Sequence, residues 1–239
     1  DAIVSLTTAG KNEILSWNLP HVSPDKITVI PCCVDLNLFN PRKIDTDLFY
    51  KKKLEYRLND RFVVGYVGSI GTWYQLREML LAFKHILRLK PEAVFLFVTK
   101  ESPATILEEA KELAIAEEAT RVVAAQHQKV PGFISLFDCS IFFIRPSFSK
   151  KASSPTKQGE IMAMGIPLIC NAGVGDTDEL VERYHSGLVL KDTTEESLAS
   201  FSIDFPDFDR EQTMQGAREY FGLENGVASY FRIYDQFVG

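Results

Sequence analysis

Short, continuously apolar runs recur along most of the chain and alternate with segments of helical periodicity. From residue 62 onward, six such runs follow one another at 62–67, 93–98, 122–124, 140–144, 167–170 and 188–190. Between the first two runs, Leu76, Met79, Leu80 and Phe83 fall on one face of a helix. Continuously apolar strands that alternate with helices are typical of a parallel sheet covered on both faces. The pattern therefore predicts a doubly wound, Rossmann-like α/β domain whose ligands bind at the carboxyl ends of its strands.

The two ends of the chain and a polar stretch at 41–61 fall outside this alternation. Two further apolar runs come first, at 2–7 and 27–31, with a helix between them. The polar stretch is predicted to be a linker that carries one helix. After the sheet, a helix presents an apolar stripe that must be buried on its own domain or on another one. The stripe consists of Val227, Tyr230, Phe231, Tyr234 and Val238.

Composition and charge exclude several classes of protein. Hydrophobic residues make up 46% of the chain and charged residues 24%, which allows a large buried core. The net charge of -6 argues against broad nucleic-acid binding, although a local cationic pocket stays possible. The four cysteines lack metal-ligand spacing, so we expect reduced thiols and a cytoplasmic protein. No apolar run is long enough to span a bilayer, and the start at Asp1 suggests a fragment of a longer protein.

The strongest chemical signal is a hydroxyl-rich loop that leads into a helix after the run at 140–144. Free N–H groups at a helix N-terminus attract anions, and Ser154 or Thr156 could cap this one, with Ser153 beside them. Lys157 lies in the first turn, where a cation opposes the helix dipole, unless an anion sits between the two. Glu160 projects from about the same face. A phosphate on Lys157 and a sugar hydroxyl on Glu160 would satisfy both, but a capping box with a surface Lys-Glu pair explains the pattern equally well.

Other candidate residues carry weaker signals. The glycines in Gly68-Ser69-Ile70-Gly71 allow a close approach to a ligand, although such a turn is more often only a tight connection. His127 follows a strand, where a lone histidine is more often structural or on the surface. Asp176 begins a helix, and we expect the helix dipole to explain it.

Five segments in the same order resemble the large family of retaining glycosyltransferases with the GT-B fold, which includes relatives of sucrose synthase and phosphatidylinositol mannosyltransferase. The helix segment "GEIMAMGIPLICN" looks like its "EAMA-G-P-V" segment, and "KITVIPCCVDLNLFNP" is similar to the stretch that joins its two domains. The others are "VVGYVGSIGTWYQLREMLLAF", "VPGFISLFDCSIFFIRPS" and the last apolar helix.

The resemblance implies a domain organisation. Residues 1–40 would end an N-terminal acceptor domain and form the interdomain connection, and 41–61 would be the linker. Residues 62–221 would bind the nucleotide-sugar donor, and the helix in 222–239 would cross back toward the N-terminal domain. That missing domain, the donor and a glycan or lipid-linked acceptor are the implied partners, with peripheral membrane association possible. A fragment of this kind would bind its donor without turnover.

Site residues follow from the resemblance position by position. Glu160 matches the glutamate that holds the donor ribose hydroxyls, and Lys157 matches a basic residue at the diphosphate. Gly68 falls where the backbone approaches the phosphates, and Val130 falls where the main chain holds the nucleobase. The reaction would retain the anomeric configuration and need neither metal nor cofactor, because Lys157 and backbone N–H groups would stabilise the leaving diphosphate.

The chain also departs from the family pattern. Ala152 stands where the first family glutamate is expected, in a loop about two residues longer than usual. Ser69 replaces an arginine, Tyr74 replaces a lysine, and Cys32-Cys33 replaces Asn-Gly. Positive charge must then come from Lys157, with possible help from Lys100, Arg145, Lys150 or Lys151. A nucleotide-sugar epimerase or phosphorylase relative, and a non-catalytic nucleotide-binding scaffold, remain alternatives.

Overall fold

The computed structural model describes residues 1–237 and shows eight strands and ten α-helices in that range. The strands are β1 (Ile3–Ser5), β2 (Ile27–Val29), β3 (Val63–Val67), β4 (Val94–Val98), β5 (Thr120–Val123), β6 (Cys139–Phe142), β7 (Leu168–Asn171) and β8 (Gly187–Leu190). The helices are α1 (Thr8–Ser16), α2 (Thr46–Glu55), α3 (Leu76–Leu89), α4 (Pro103–Glu112), α5 (Pro131–Ile134), α6 (Thr156–Ala163), α7 (Thr177–Arg183), α8 (Glu195–Leu198), α9 (Arg210–Tyr220) and α10 (Leu223–Tyr234).

Six of the strands form one parallel sheet in the order β5-β4-β3-β6-β7-β8, with helices around it. Every apolar run from residue 62 onward became a strand of this sheet, so the predicted α/β class is confirmed. The chain leaves β3 toward one edge of the sheet and β6 toward the other. The switch point of the topology therefore lies between these two central strands, and ligands of such sheets usually bind near it, at the carboxyl ends of the strands.

The core forms because the central strands are apolar on both faces. All five residues of β3 and of β4 are buried, and α3 covers them with Met79, Leu80 and Phe83, each fully buried. Gly65 in β3 is required by packing, since a Cβ there would lie 2.0 Å from the Phe137 ring.

The first two strands pair in a separate parallel sheet, which the sheet domain holds through Asp176. The buried Asp176 carboxylate accepts the backbone N–H groups of Thr8 at 2.6 Å and Ala9 at 2.8 Å, at the start of α1. The Tyr220 hydroxyl donates to the same carboxylate at 2.6 Å. Asp176 makes no side-chain cap on its own helix. The expectation that the dipole of α7 explains Asp176 is therefore wrong, because its carboxylate caps α1 instead.

A second connection joins the two ends of the chain beside α6. The Val34 N–H donates to the Phe221 carbonyl at 2.7 Å, and the Leu223 N–H donates to the Val34 carbonyl at 3.1 Å. The side chains of Val34 and Phe221 lie against Gly159 of α6. A Cβ built on Gly159 would come within 2.7 Å of Phe221 and 2.8 Å of Val34. The glycine lets this chain crossing sit directly on the helix.

The last helix, α10, leaves most of its apolar stripe in solvent. Val227, Tyr230, Phe231 and Tyr234 are 41% to 63% exposed, whereas Ile233 is buried. Val238, the last member of the predicted stripe and part of the predicted 222–239 segment, lies outside the described residues. Within the described part of the chain, no helix combines the length and apolarity needed to cross a membrane.

Candidate functional site

Lys157 lies in the first turn of α6 and reaches under the carboxyl end of β3. Its Nζ donates a hydrogen bond of 2.7 Å to the Tyr66 hydroxyl. It also lies 3.9 Å from the Tyr66 ring centre and 3.5 Å from the Tyr74 ring centre. Gly68 lies beside the ammonium, since a Cβ built on this glycine would be 3.6 Å from Nζ. The ammonium therefore sits in an aromatic cradle directly below the predicted phosphate loop.

The charge of Lys157 is poorly compensated. The residue is 7% exposed, and no carboxylate of residues 1–237 lies within ion-pair distance of its Nζ. Burial lowers the pKa of Lys157 well below its ordinary value, against a smaller opposing effect of Glu160. A buried cation without a counter-ion is unfavourable, and an anion at the site would relieve the penalty.

A cavity of about 490 Å³ opens at the carboxyl ends of β3, β4 and β5, next to this cradle. It brings together five of the predicted site residues, namely Gly68, Ser69, Lys100, Val130 and Glu160. The remaining lining residues are Val67, Val98, Thr99, Glu101, Ala125 and His127. Volumes of this order are usual for small-molecule sites.

Glu160 and His127 face each other across part of the cavity wall. The Glu160 Oε1 lies 4.0 Å from the His127 Nδ1, and the Glu160 side chain is only 12% exposed. Burial raises the pKa of Glu160, while His127 and Lys157 lower it by less. The His127 ring also packs on Phe39, at 5.4 Å between ring centres. His127 is therefore a surface histidine, as the sequence favoured, with its side chain 60% exposed, and it also lines the cavity.

Five predicted residues do not line this cavity, namely Lys157, which lies beside it, and Arg145, Ser153, Ser154 and Thr156. Arg145 and Thr156 are exposed, and Ser153 and Ser154 are half-buried. The Ser154 hydroxyl accepts the Cys32 N–H at 3.1 Å and so joins the loop to the segment after β2.

The start of α6 differs from the predicted cap. Pro155 occupies the N-cap position, no side chain caps the helix, and Thr156 is already its first residue. The expectation that Ser154 or Thr156 caps α6 is therefore wrong, because Pro155 stands between them and the serine hydroxyl is engaged elsewhere. The first turn keeps N–H groups without a side-chain cap, which suits an anion.

Both family departures on the β3 side have a structural role here. The Ser69 hydroxyl donates to Glu101 Oε1 at 2.6 Å, which closes the loop over the cavity floor. Tyr74 supplies one wall of the Lys157 cradle and packs edge-on against Tyr66. Burial raises the pKa of Tyr74 to about 12. The sequence did not identify Tyr66 as a site residue, because an aromatic residue inside a buried strand is typical of the hydrophobic core.

Aspartates spaced as Asp-x-Asp occur three times, at 45–47, 176–178 and 207–209. In each triplet one aspartate caps a helix: Asp45 accepts the Leu48 N–H, Asp209 accepts the Gln212 N–H, and Asp176 caps α1. Among residues 1–237, no group of three or more His, Cys, Asp or Glu side chains is placed to hold a metal ion.

The chain is similar to known proteins in both sequence and structure. Residues 50–205 match the family model described as Glycosyl transferases group 1. No curated protein sequence matches the chain. A glycosyltransferase from Rickettsia africae ESF-5 superposes with a TM-score of 0.80 at 16% identity, covering 99% of this chain and 63% of that one.

Two further solved structures share the fold. Anabaena Alr3699/HepE in complex with UDP-glucose gives a TM-score of 0.75 at 14% identity and covers 98% of this chain and 64% of that one. Sucrose-phosphate synthase from Thermosynechococcus elongatus gives a TM-score of 0.73 at 17% identity. The superposition covers 99% of this chain and 58% of that one. The chain thus spans about three fifths of the length of these relatives.

Proposed function

The chain belongs to the glycosyl transferases group 1 family, and from that premise we propose that it binds the nucleotide-diphosphate-sugar donor of a glycosyl transfer. The acceptor is a hydroxyl of a glycan or a lipid-linked glycan. The transfer retains the configuration of the anomeric carbon and proceeds without a metal ion. The Anabaena relative was solved with UDP-glucose, which supports a donor of this class.

The observation that carries the proposal is the uncompensated cation of Lys157 beneath Gly68. A diphosphate between the Gly68-Ser69 loop and the first turn of α6 meets this ammonium and the uncapped N–H groups of the helix. Both favour negative charge, and both are held in place before the ligand arrives. Such preorganised groups stabilise the charge that develops on a leaving diphosphate.

Glu160 and the backbone at Val130 position the rest of the nucleotide. The Glu160 carboxylate accepts hydrogen bonds from ribose hydroxyls, and its place on the same cavity as Gly68 fits the span between phosphate and ribose. The nucleobase lies against the main chain at Val130. The loop Gly68-Ser69 closes over the phosphates, where the Ser69–Glu101 hydrogen bond holds it.

Nucleotide binding tests the donor site directly. We would measure thermal stabilisation by UDP, GDP and ADP, each with and without its sugar, on the wild type and on Lys157→Met and Glu160→Gln variants. A ligand at 100 times its dissociation constant adds about 2.7 kcal/mol of stability, or roughly 5 to 10 °C for a protein of this size. Stabilisation by one nucleotide family that both variants weaken supports the proposal. Equal stabilisation of all three proteins contradicts it.

Product analysis separates transfer from the alternative reactions. The anomeric configuration of the product, followed by proton NMR, distinguishes a retaining transferase from an inverting one. Release of an epimerised sugar without transfer to an acceptor would indicate an epimerase. Activity that survives EDTA supports a metal-independent reaction, and loss of activity that Mg²⁺ restores refutes it.

A further inference from the structure

The cavity of about 490 Å³ described above is called the donor cavity here. A second cavity, of about 540 Å³, lies on the other side of the turn His127–Lys129. It is formed between the stretch before α2, α2 itself and the start of α5. Its lining residues are Asn37, Leu38, Asn40, Lys43, Ile44, Asp45, Leu48, Phe49, Lys52, Gln128, Lys129, Pro131 and Gly132. It shares none of these residues with the donor cavity.

Lys52 is the unusual group in this cavity. It is only 9% exposed, and no carboxylate of residues 1–237 lies within ion-pair distance of its Nζ. The Nζ lies 3.4 Å from the centre of the Phe133 ring, and its Cε passes close over Gly132. Burial lowers the pKa of Lys52, the nearby charge of Glu55 opposes this, and the charge of Lys129 adds to the lowering. The ring face compensates only part of what the ammonium loses on leaving water.

Most of the remaining charges of the cavity have the same sign as Lys52. Lys43 and Lys129 add two cations, and Asp45 is the one acidic residue of the lining. The Asp45 carboxylate already caps α2 by accepting the Leu48 N–H at 3.0 Å. The lining therefore carries a net charge of +2, which a phosphate dianion would balance.

The uncharged part of the lining combines three amide side chains, those of Asn37, Asn40 and Gln128, with an apolar surface. Leu38, Ile44, Leu48 and Phe49 form one wall and Pro131 part of the other. Such a wall suits a short hydrocarbon group, and the cavity is large enough for a small organic ligand.

We propose that this cavity binds an alkyl phosphate, with the phosphate on Lys52, Lys129 and Lys43 and the hydrocarbon against Leu38, Leu48 and Phe49. The short helical turn His127–Lys129 separates the two cavities. His127 lines the donor cavity, and Lys129 lines the second one. A ligand held by Lys129 therefore contacts the same turn that borders the donor.

Hexyl phosphate, hexanol and inorganic phosphate are the probes for this site. Each is titrated into isotopically labelled protein while the backbone amide signals of Gln128, Lys129 and Gly132 are followed by NMR. We expect hexyl phosphate to shift these signals and to bind at least tenfold more tightly than hexanol or inorganic phosphate, each of which carries only one half of the ligand. Equal affinity for hexyl phosphate and one of the other two probes would overturn the proposal.

Matched variants locate the binding. Lys52→Met keeps the apolar stem and is expected to weaken hexyl phosphate at least tenfold. The adjacent, exposed Lys51→Met is expected to leave its affinity within twofold of the wild type. Lys129→Met changes an exposed residue and so keeps the test valid if Lys52→Met unfolds; we expect at least a threefold loss. An unchanged affinity in Lys129→Met contradicts the proposal, as does loss of binding in Lys157→Met, which would place the probe in the donor cavity instead.

Discussion

Replacing Lys157 by methionine separates the contribution of the site to donor binding from its effect on the fold. Methionine keeps an unbranched apolar stem between the rings of Tyr66 and Tyr74 but removes the ammonium. A unit charge pair at about 4 Å contributes roughly 4 kcal/mol at an effective dielectric constant of 20. A charge-assisted hydrogen bond measured by mutation contributes about 1.5 to 3 kcal/mol. Between these limits of about 1.5 and 4 kcal/mol, we expect the nucleotide dissociation constant to rise roughly 10- to 900-fold.

The same substitution is expected to leave the empty protein at least as stable at pH 7. Because burial lowers the pKa of Lys157 in the folded state, the unfolded chain binds this proton more tightly. The loss of folding stability that results from burying the charged lysine is complete below the lowered pKa. It disappears as the pH rises toward 10.5, the ordinary pKa of lysine. Each unit of that lowering is equivalent to about 1.4 kcal/mol. The advantage of Lys157→Met over the wild type should therefore shrink between neutral pH and pH 10.

Isothermal titration calorimetry with nucleotide and urea unfolding across pH 6 to 10 measure the two effects. Lys111→Met, an exposed change on α4, is the matched control and should alter neither quantity. Nucleotide binding should also take up protons at pH values above the lowered pKa, because an anion favours the charged lysine. A variant that loses stability at pH 7 while binding nucleotide as the wild type does would refute this account of Lys157.

Three further substitutions test other parts of the structure. Glu160→Gln should weaken nucleotide binding about tenfold. It should not lower the thermal stability at pH 7, because burial raises the pKa of Glu160 and disfavours its charge. The stability of the variant should approach that of the wild type as the pH falls below 4.5. Asp176→Ala removes the acceptor of three hydrogen bonds and should cost about 2 to 4 kcal/mol in urea unfolding. Asp207→Ala, at an exposed aspartate, serves as its control. Gly159→Ala forces a methyl group against Phe221 and should cost about 1 to 3 kcal/mol; an unchanged melting temperature would show that the crossing adjusts freely.

The strands were predictable because their signal is local. All eight predicted apolar runs became strands, with ends that moved by one or two residues. Burial on both sheet faces makes the central strands β3 and β4 apolar or aromatic apart from Gly65, so a short stretch of sequence reveals them. Lys157 was also identifiable, since a cation in the first turn of a helix conflicts with the local dipole.

The partners of these residues depend on contacts between distant parts of the chain. Tyr66 supports Lys157 from 91 positions away, and Asp176 caps a helix start 168 positions away. In the local sequence Tyr66 is one more apolar strand residue, and Asp176 is one more acidic helix start. A local pattern explains each of them sufficiently, so nothing in it points to the distant contact.

The crossing of the two chain ends beside Gly159 ties α6 to both ends of the chain. Val34 precedes the sheet domain, the stretch from Phe221 leads into α10, and both contact the helix between Lys157 and Glu160. The two residues predicted to bind the donor therefore lie within one helical turn of the point where the chain ends meet.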